Sequence, residues 1–161
     1  TECDNFYRKQ QLIGYVHDET ACFFGGVQGN AGLFSNANDL AKLCQMWLNK
    51  GTYGNERILS PKTVELFLTE KSSTSRRGLG FDKPDMENPE KSPTAIEASA
   101  STIGHLGFTG TCFWIDPEQE LIYIFLCNRV YPSRTHDALS QLNIRPELFS
   151  TIYRSIKNHS K

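Results

Sequence analysis

The chain has 161 residues, which is enough for one domain with its own hydrophobic core. Its 17 Lys and Arg residues nearly balance its 18 Asp and Glu residues, and no basic stripe with interleaved aromatic residues occurs, so we expect no nucleic-acid partner. The longest apolar run, Leu121 to Cys127, is far too short for a transmembrane helix. The chain begins with Thr1 and shows no signal peptide, so we expect a piece of a longer protein.

Neither the cysteines nor the glycines predict a cofactor or a metal site. The five cysteines include no C-x-x-C pair, the spacing typical of zinc and thioredoxin-like sites. The glycines from Gly25 to Gly32 lack both the Gly-Lys-Ser/Thr ending and the G-x-G-x-x-G spacing of phosphate-binding loops. We interpret them as a tight turn in which backbone passes close to backbone, and expect no cofactor and no metal.

Three segments carry helix signals. Ser35 is a good N-cap, Asp39 suits the positive end of the helix dipole, and Gly51 ends the first helix. The apolar stripe of that helix has helical spacing and consists of Leu40, Leu43, Cys44, Trp47 and Leu48. Ser60-Pro61 begins a second helix, and Pro146 begins a closing helix.

Strand signals predict an antiparallel sheet, and therefore an α+β fold. Leu12 to Val16 and Gly78 to Phe81 are short strand candidates. A hairpin is predicted over about residues 108–128, with a turn near Glu118 that sets Cys112 roughly opposite Ile124. The second hairpin strand, Leu121 to Cys127, has no polar face, so we place it in the middle of the sheet. Residues 82–101 form a long loop that leads into His105 and is expected to border the site.

The best candidate site is the segment from Gly104 to Thr111, which joins a glycine-rich backbone to the titratable side chain of His105. A histidine at a strand end also has a purely structural interpretation. The pair His17-Asp18 invites a catalytic interpretation, but neighbouring polar residues in a loop more often bond their own backbone, and we favour that explanation.

The 104–111 segment, Gly-His-Leu-Gly-Phe-Thr-Gly-Thr, resembles the third motif of the β-lactamase/penicillin-binding serine hydrolase superfamily, in the branch of class C-type β-lactamases and related esterases. The segments that also resemble this family, in the family's order, are Val16-His17-Asp18-Glu19, Ala31-Gly32-Leu33-Phe34-Ser35, Asp39-Leu40 and Leu59-Ser60-Pro61. The resemblance implies a partial β-lactamase/transpeptidase-like fold. It also implies a bacterial cell-envelope or periplasmic protein.

The resemblance assigns roles to five residues of this segment. His105 would supply positive charge or a proton, and the backbone N–H of Phe108 would be half of an oxyanion hole. Gly107 and Thr109 would lie along the substrate. Leu106 departs from the motif, because leucine cannot offer the hydroxyl that usually binds a carboxylate. This departure disfavours β-lactam hydrolysis and favours an ester, amide or peptide substrate.

The catalytic serine of that family is missing. No serine in the chain is followed by Lys at the third position, so the S-x-x-K motif is absent. Tyr53-Gly54-Asn55 matches the second motif, Tyr-x-Asn, but follows the long helix in a predicted turn, so we consider the match accidental. We therefore expect residues 1–161 to be the C-terminal portion of a single β-lactamase-like domain, inactive by itself.

Two functions remain open from the sequence. The first is a serine hydrolase that forms an acyl-enzyme on a small-molecule or peptidoglycan-derived substrate, with this chain as one wall of its cleft. The second is a non-catalytic module that binds cell-wall glycan or peptide, or assists a fused glycoside hydrolase. Leu106 favours the second.

Self-association is expected of such a piece. A chain that lacks part of its sheet exposes strand edges and apolar surface, which can pair with the upstream part of its own chain or with a second copy. We predict oligomers at high concentration in static light scattering. A clean monomer would contradict this expectation and indicate a self-sufficient domain.

Overall fold

The computed structural model describes residues 1–69 and 71–159 as an α+β fold, as predicted. Strands β5 (Ile103–Leu106), β6 (Cys112–Asp116) and β7 (Leu121–Phe125) form an antiparallel sheet in the order β5-β6-β7. Two small hairpins are β1 (Cys3–Asp4) with β2 (Gln10–Gln11), and β3 (Thr52–Tyr53) with β4 (Glu56–Arg57). The helices are α1 (Glu19–Phe23), α2 (Ala37–Leu48), α3 (Pro61–Thr69), α4 (Ala138–Gln141) and α5 (Ile144–His159).

Helices cover both faces of the sheet. On one face, Trp114 and Tyr123 pack against α5, where the rings of Tyr123 and Phe149 are stacked with centroids 4.5 Å apart. On the other face, Ile103 and Ile115 pack with residues of α2 and α3. Residues alternate between the two faces along each strand, which is the period expected of a sheet buried on both sides.

The predicted helices are present, with shifts at two of their starts. Asn36 rather than Ser35 is the N-cap of α2, because the Asn36 side chain accepts the N–H of Asp39 at 3.0 Å. Ser60 caps α3 as predicted, accepting the N–H of Thr63 at 3.0 Å. The closing helix begins at Ile144, two residues before Pro146; proline is tolerated there because the first-turn N–H groups have no partner within the helix.

The strand predictions were partly wrong. Leu12 to Val16 is irregular, since the chain pairs one step earlier at Gln10–Gln11 and then turns at Gly14, whose φ is 71°. Gly78 to Phe81 is a turn closed by a hydrogen bond from the Gly78 N–H to the Phe81 carbonyl. The predicted close approach of backbone to backbone in the glycine turn is confirmed, because a Cβ on Gly32 would lie 2.4 Å from the carbonyl oxygen of Gly26.

The hairpin is present, but its register and sheet position differ from the prediction. Cys112 faces Phe125 rather than Ile124, because the β6–β7 loop begins after Asp116 and ends before Leu121. Cys112 and Cys127 are both free thiols. Strand β7 lies at an edge of the described sheet, not in its middle. Helices α2 and α5 cover its two faces, and this explains its lack of a polar face.

Gly104 lies in very close contact with the central strand of the sheet. It pairs with Trp114, and a Cβ there would lie 2.1 Å from the carbonyl oxygen of Phe113 and 2.5 Å from the indole ring of Trp114. Both Phe113 and Trp114 belong to the central strand and cannot move aside cheaply. Gly29 provides a matched contrast, because nothing lies within 4 Å of a Cβ built on it.

We predict that Gly104→Ala lowers the free energy of unfolding by about 3 kcal/mol, the upper part of the usual range for forcing extra atoms into a packed core. Gly29→Ala should change it by less than about 1 kcal/mol. Urea unfolding followed by tryptophan fluorescence measures both. Equal stability of the two variants would show that the β5–β6 contact is looser than described.

Candidate functional site

Strand β5 and the loop after it carry the predicted site residues. His105 is exposed on the same sheet face as Ile103, whereas Leu106 packs on the opposite face beside the cluster of Trp114 and Tyr123. The loop consists of Phe108, Thr109 and Gly110, and it closes with hydrogen bonds from Gly107 N–H to Thr111 O (2.7 Å) and from Gly110 N–H to Gly107 O (3.0 Å).

Gly110 makes this short loop possible. Its φ is 113°, and a Cβ there would lie 2.5 Å from the sulfur of Cys127. A three-residue hairpin loop that ends in a glycine with positive φ is a common way of joining two antiparallel strands. The loop therefore holds Phe108 and Thr109 in a defined turn at the end of β5.

Phe108 is fixed from both sides, while its N–H stays free. Its ring stacks on His17 with centroids 5.4 Å apart. The Arg129 guanidinium lies over the same ring, 4.6 Å from its centroid, and forms a cation–π contact. Arg129 Nε also donates to the carbonyl oxygen of Phe108 at 2.8 Å. Within residues 1–69 and 71–159, no acceptor bonds the Phe108 N–H. That N–H is thus an available donor on a residue whose ring and carbonyl oxygen are both held by side-chain contacts.

The other predicted residues use their backbone inside the fold. Thr109 accepts the N–H of Arg129 at 2.9 Å through its carbonyl oxygen, and the N–H of Gly107 is engaged with Thr111. A Cβ on Gly107 would lie 2.3 Å from the Thr111 hydroxyl, so any other residue there would require the Thr111 side chain to turn aside. The structure thus brings Gly107, Phe108 and Thr109 together in one turn, and places His105 and Leu106 on opposite faces of the strand before it.

His105 belongs to a polar chain that sequence reasoning missed. Its Nε2 lies 2.7 Å from Nη1 of Arg77, and Nη2 of Arg77 lies 3.7 Å from the carboxylate of Asp82. Asp82 is completely buried and pairs through its backbone with Gly104 on β5. Arg76 lies against the same carboxylate, with Nη2 donating to Oδ2 at 2.9 Å. No local pattern in the sequence connects Arg77 to His105, which lie 28 residues apart.

The wall behind Phe108 is an ion-pair cluster around Glu2. His17 Nε2 lies 2.8 Å from the Glu2 carboxylate, and Arg134 Nη2 lies 2.7 Å from both Glu2 and Glu19. The hydrogen bonds from Arg134 lower the pKa of the buried Glu2 from 4.5 to about 2. Asp18 has the structural role expected of it: its side chain accepts the Ala21 N–H and caps α1.

The literal Tyr-x-Asn match lies elsewhere. Gly54 and Asn55 form the tip of the β3–β4 hairpin, and Gly54 has a φ of 59°. Among the described residues, no hydrogen bond or strand pairing joins Tyr53 to the 104–111 segment. No group of three or more His, Cys, Asp or Glu residues in the described part of the chain is placed to hold a metal ion. None of the described helices has the length and apolar content that a bilayer crossing demands.

The family model described as Beta-lactamase matches residues 4–145, most of the chain. The chain belongs to the beta-lactamase family. Relatives from Salmonella newport (strain SL254) and Salmonella agona (strain SL483) are named "Putative D-alanyl-D-alanine carboxypeptidase" and are 38% identical over 144 residues, or 88% of this chain. The chain spans about a third of their length, 32%.

The chain is similar to a crystal structure described as a "putative beta-lactamase" from Bacteroides dorei DSM 17855. The sequence identity is 18% and the TM-score is 0.46, and the match covers 74% of this chain and 41% of that one. The family itself is a serine hydrolase family, whose S-x-x-K motif does not occur in this chain.

We predict that Glu2→Gln destabilises the fold in a pH-dependent way. Because the folded state holds the Glu2 pKa at about 2, its carboxylate contributes stability above pH 4.5 that is lost as the pH falls toward 2. Relative to wild type, the variant should lose about 3 kcal/mol of the free energy of unfolding at neutral pH. Near pH 2 it should lose almost nothing.

Urea unfolding across this pH range measures the effect. Glu56→Gln, which alters an exposed side chain on β4, is the matched control and should leave stability unchanged at every pH. A loss of equal size at both ends of the pH range would show that Glu2 stabilises the fold by packing rather than by charge.

Proposed function

We propose that the parent protein of this chain is a serine hydrolase that acts through an acyl-enzyme, and that residues 1–161 are the C-terminal portion of its β-lactamase-like domain. The observation that carries the proposal is the free N–H of Phe108, a residue in the turn directly after β5 whose ring and carbonyl oxygen contact His17 and Arg129. An oxyanion hole needs a donor that is fixed before the reaction and that no group within the protein occupies. Phe108 meets both requirements.

In this proposal the chain supplies one wall of the cleft, and the upstream part of its own chain supplies the serine and lysine. Phe108 N–H donates to the oxygen that becomes negatively charged when the serine attacks. His105 carries positive charge or takes part in proton transfer beside that oxygen. Gly107 and Thr109 line the path of the substrate. The chain alone, which has no S-x-x-K motif, is inactive.

The proposed substrate is a peptide with a D-alanyl end or a related amide or ester from peptidoglycan, and the proposed location is the bacterial periplasm or cell envelope. The names of the 38% identical relatives support this choice. Leu106 disfavours β-lactam hydrolysis, since its side chain has no hydroxyl and packs beside the apolar α5 cluster.

Exposed apolar side chains support association with the upstream part of the protein. Along residues 6–34, eight large apolar side chains are more than 60% exposed: Phe6, Ile13, Tyr15, Phe23, Phe24, Val27, Leu33 and Phe34. Soluble monomers rarely leave so large an apolar surface uncovered. We propose that the upstream part covers it in the parent protein, and that a second copy covers it when that part is missing.

Leu106 also favours the second candidate function, a non-catalytic module that binds cell-wall glycan or peptide, or assists a fused glycoside hydrolase. Such a module would bind a muropeptide in the same cleft without hydrolysing it.

Covalent labelling separates the two functions. We expect no adduct when this chain alone is treated with a fluorescent penicillin or a fluorophosphonate. The product of the full reading frame should be labelled at one serine within S-x-x-K, and Ser→Ala at that position should abolish the label. A stoichiometric adduct on a serine of residues 1–161, or binding of muropeptide by the full product without any label, would contradict the hydrolase.

The role of Phe108 is tested in the same full-length protein. Phe108→Pro removes the N–H and suits the second position of a turn, so the fold should survive while kcat falls roughly 10²–10³-fold. Phe108→Ala removes the ring but keeps the N–H, and should lower kcat much less. Equal kcat values for the two variants would exclude the N–H as an oxyanion donor.

A further inference from the structure

Both ring nitrogens of His105 are engaged, and their partners determine where its hydrogen lies. Nδ1 lies 2.8 Å from the carbonyl oxygen of Leu106, and Nε2 lies 2.7 Å from Nη1 of Arg77. A carbonyl oxygen can only accept a hydrogen bond, and a guanidinium can only donate one. The hydrogen of the ring is therefore on Nδ1, and Nε2 presents its lone pair to Arg77.

Arg77 is anchored to the strand that carries His105. Its Nη2 lies 3.7 Å from Oδ2 of Asp82, a carboxylate without solvent exposure. The backbone of Asp82 forms two hydrogen bonds with Gly104, the residue before His105, at 2.8 and 3.1 Å. The buried carboxylate, paired closely with Arg76, thus also attracts the Arg77 guanidinium toward the strand that carries His105.

We propose that Arg77 is a positioning residue for His105, holding the imidazole in the tautomer that has its lone pair on Nε2. In that tautomer Nδ1 donates to the Leu106 carbonyl oxygen, and Nε2 can accept a hydrogen bond but cannot donate one.

This inference deepens the proposed function of the same site, but its test needs no substrate or serine. The nitrogen shifts of histidine rings in a ¹⁵N-labelled sample of this chain report the tautomer directly. At about pH 8, above the usual imidazole range, wild-type His105 should be almost entirely protonated on Nδ1. Failure of this test would leave the hydrolase proposal standing, and failure of the labelling experiment would leave the tautomer unaffected.

Arg76 provides the matched control, since it contacts the same Asp82 carboxylate and not His105. We expect Arg77→Met to raise the fraction with the hydrogen on Nε2 at least several-fold, and Arg76→Met to leave the wild-type fraction unchanged. Arg77→Lys should restore the wild-type tautomer if it folds as wild type, because an ammonium group also only donates.

Two results would overturn the proposal. The first is a wild-type ring with its hydrogen on Nε2. The second is an Arg77→Met variant that keeps the wild-type tautomer fraction, which would show that the Leu106 carbonyl alone fixes the ring. If Arg77→Met fails to fold, Arg77→Leu replaces it with the same expectations, because leucine also offers no hydrogen-bond donor.

Discussion

The close contact between Gly104 and Trp114 is the constraint on which the site depends. Because Gly104 has no side chain, the indole of Trp114 lies over the β5 backbone and completes the cluster beneath α5. The same glycine pairs through its N–H and carbonyl with Asp82. Asp82 holds Arg77, and Arg77 contacts His105. One small residue thus connects the core of the sheet to the charged groups around His105.

The turn after β5 is fixed by a separate set of contacts. Gly110 allows the three-residue loop, and Arg129 contacts Phe108 through both the ring and the carbonyl oxygen. Arg129 Nη1 also donates to the carbonyl oxygens of Arg134 and His136, which ties the turn to the chain after β7. Rigid support of this kind is what a preorganised donor requires, since a mobile N–H would lose the advantage of being in place before charge develops.

Features set by local physics could be predicted from the sequence. The helices that become α2 and α3 follow from their caps and apolar spacing, and the glycine turn follows from the residues that pass each other there. The position of β7 could not be predicted from the sequence. A strand at a sheet edge has the same apolar pattern as a central strand when helices cover both of its faces.

The site was predictable only in part, because segments that are distant in the sequence complete it. The glycines and His105 stand together in the sequence, so their pattern indicated a candidate site. The turn at residues 107–111 was not predicted, because the hairpin was expected over about residues 108–128 with its turn near Glu118. Arg77 and Arg129 come to the site through pairing of distant segments, and their residue types alone give no sign of it. The ion pairs of Glu2 with His17 and Arg134 likewise join both ends of the chain.

The most direct test of the central claim is a crystal structure of the full-length protein after reaction with a phosphonate that mimics the charged intermediate. The account predicts a phosphonyl oxygen about 2.7–3.1 Å from the backbone nitrogen of Phe108, with the turn unchanged around it. A phosphonyl oxygen held by other donors, with the Phe108 N–H directed to solvent, would contradict it.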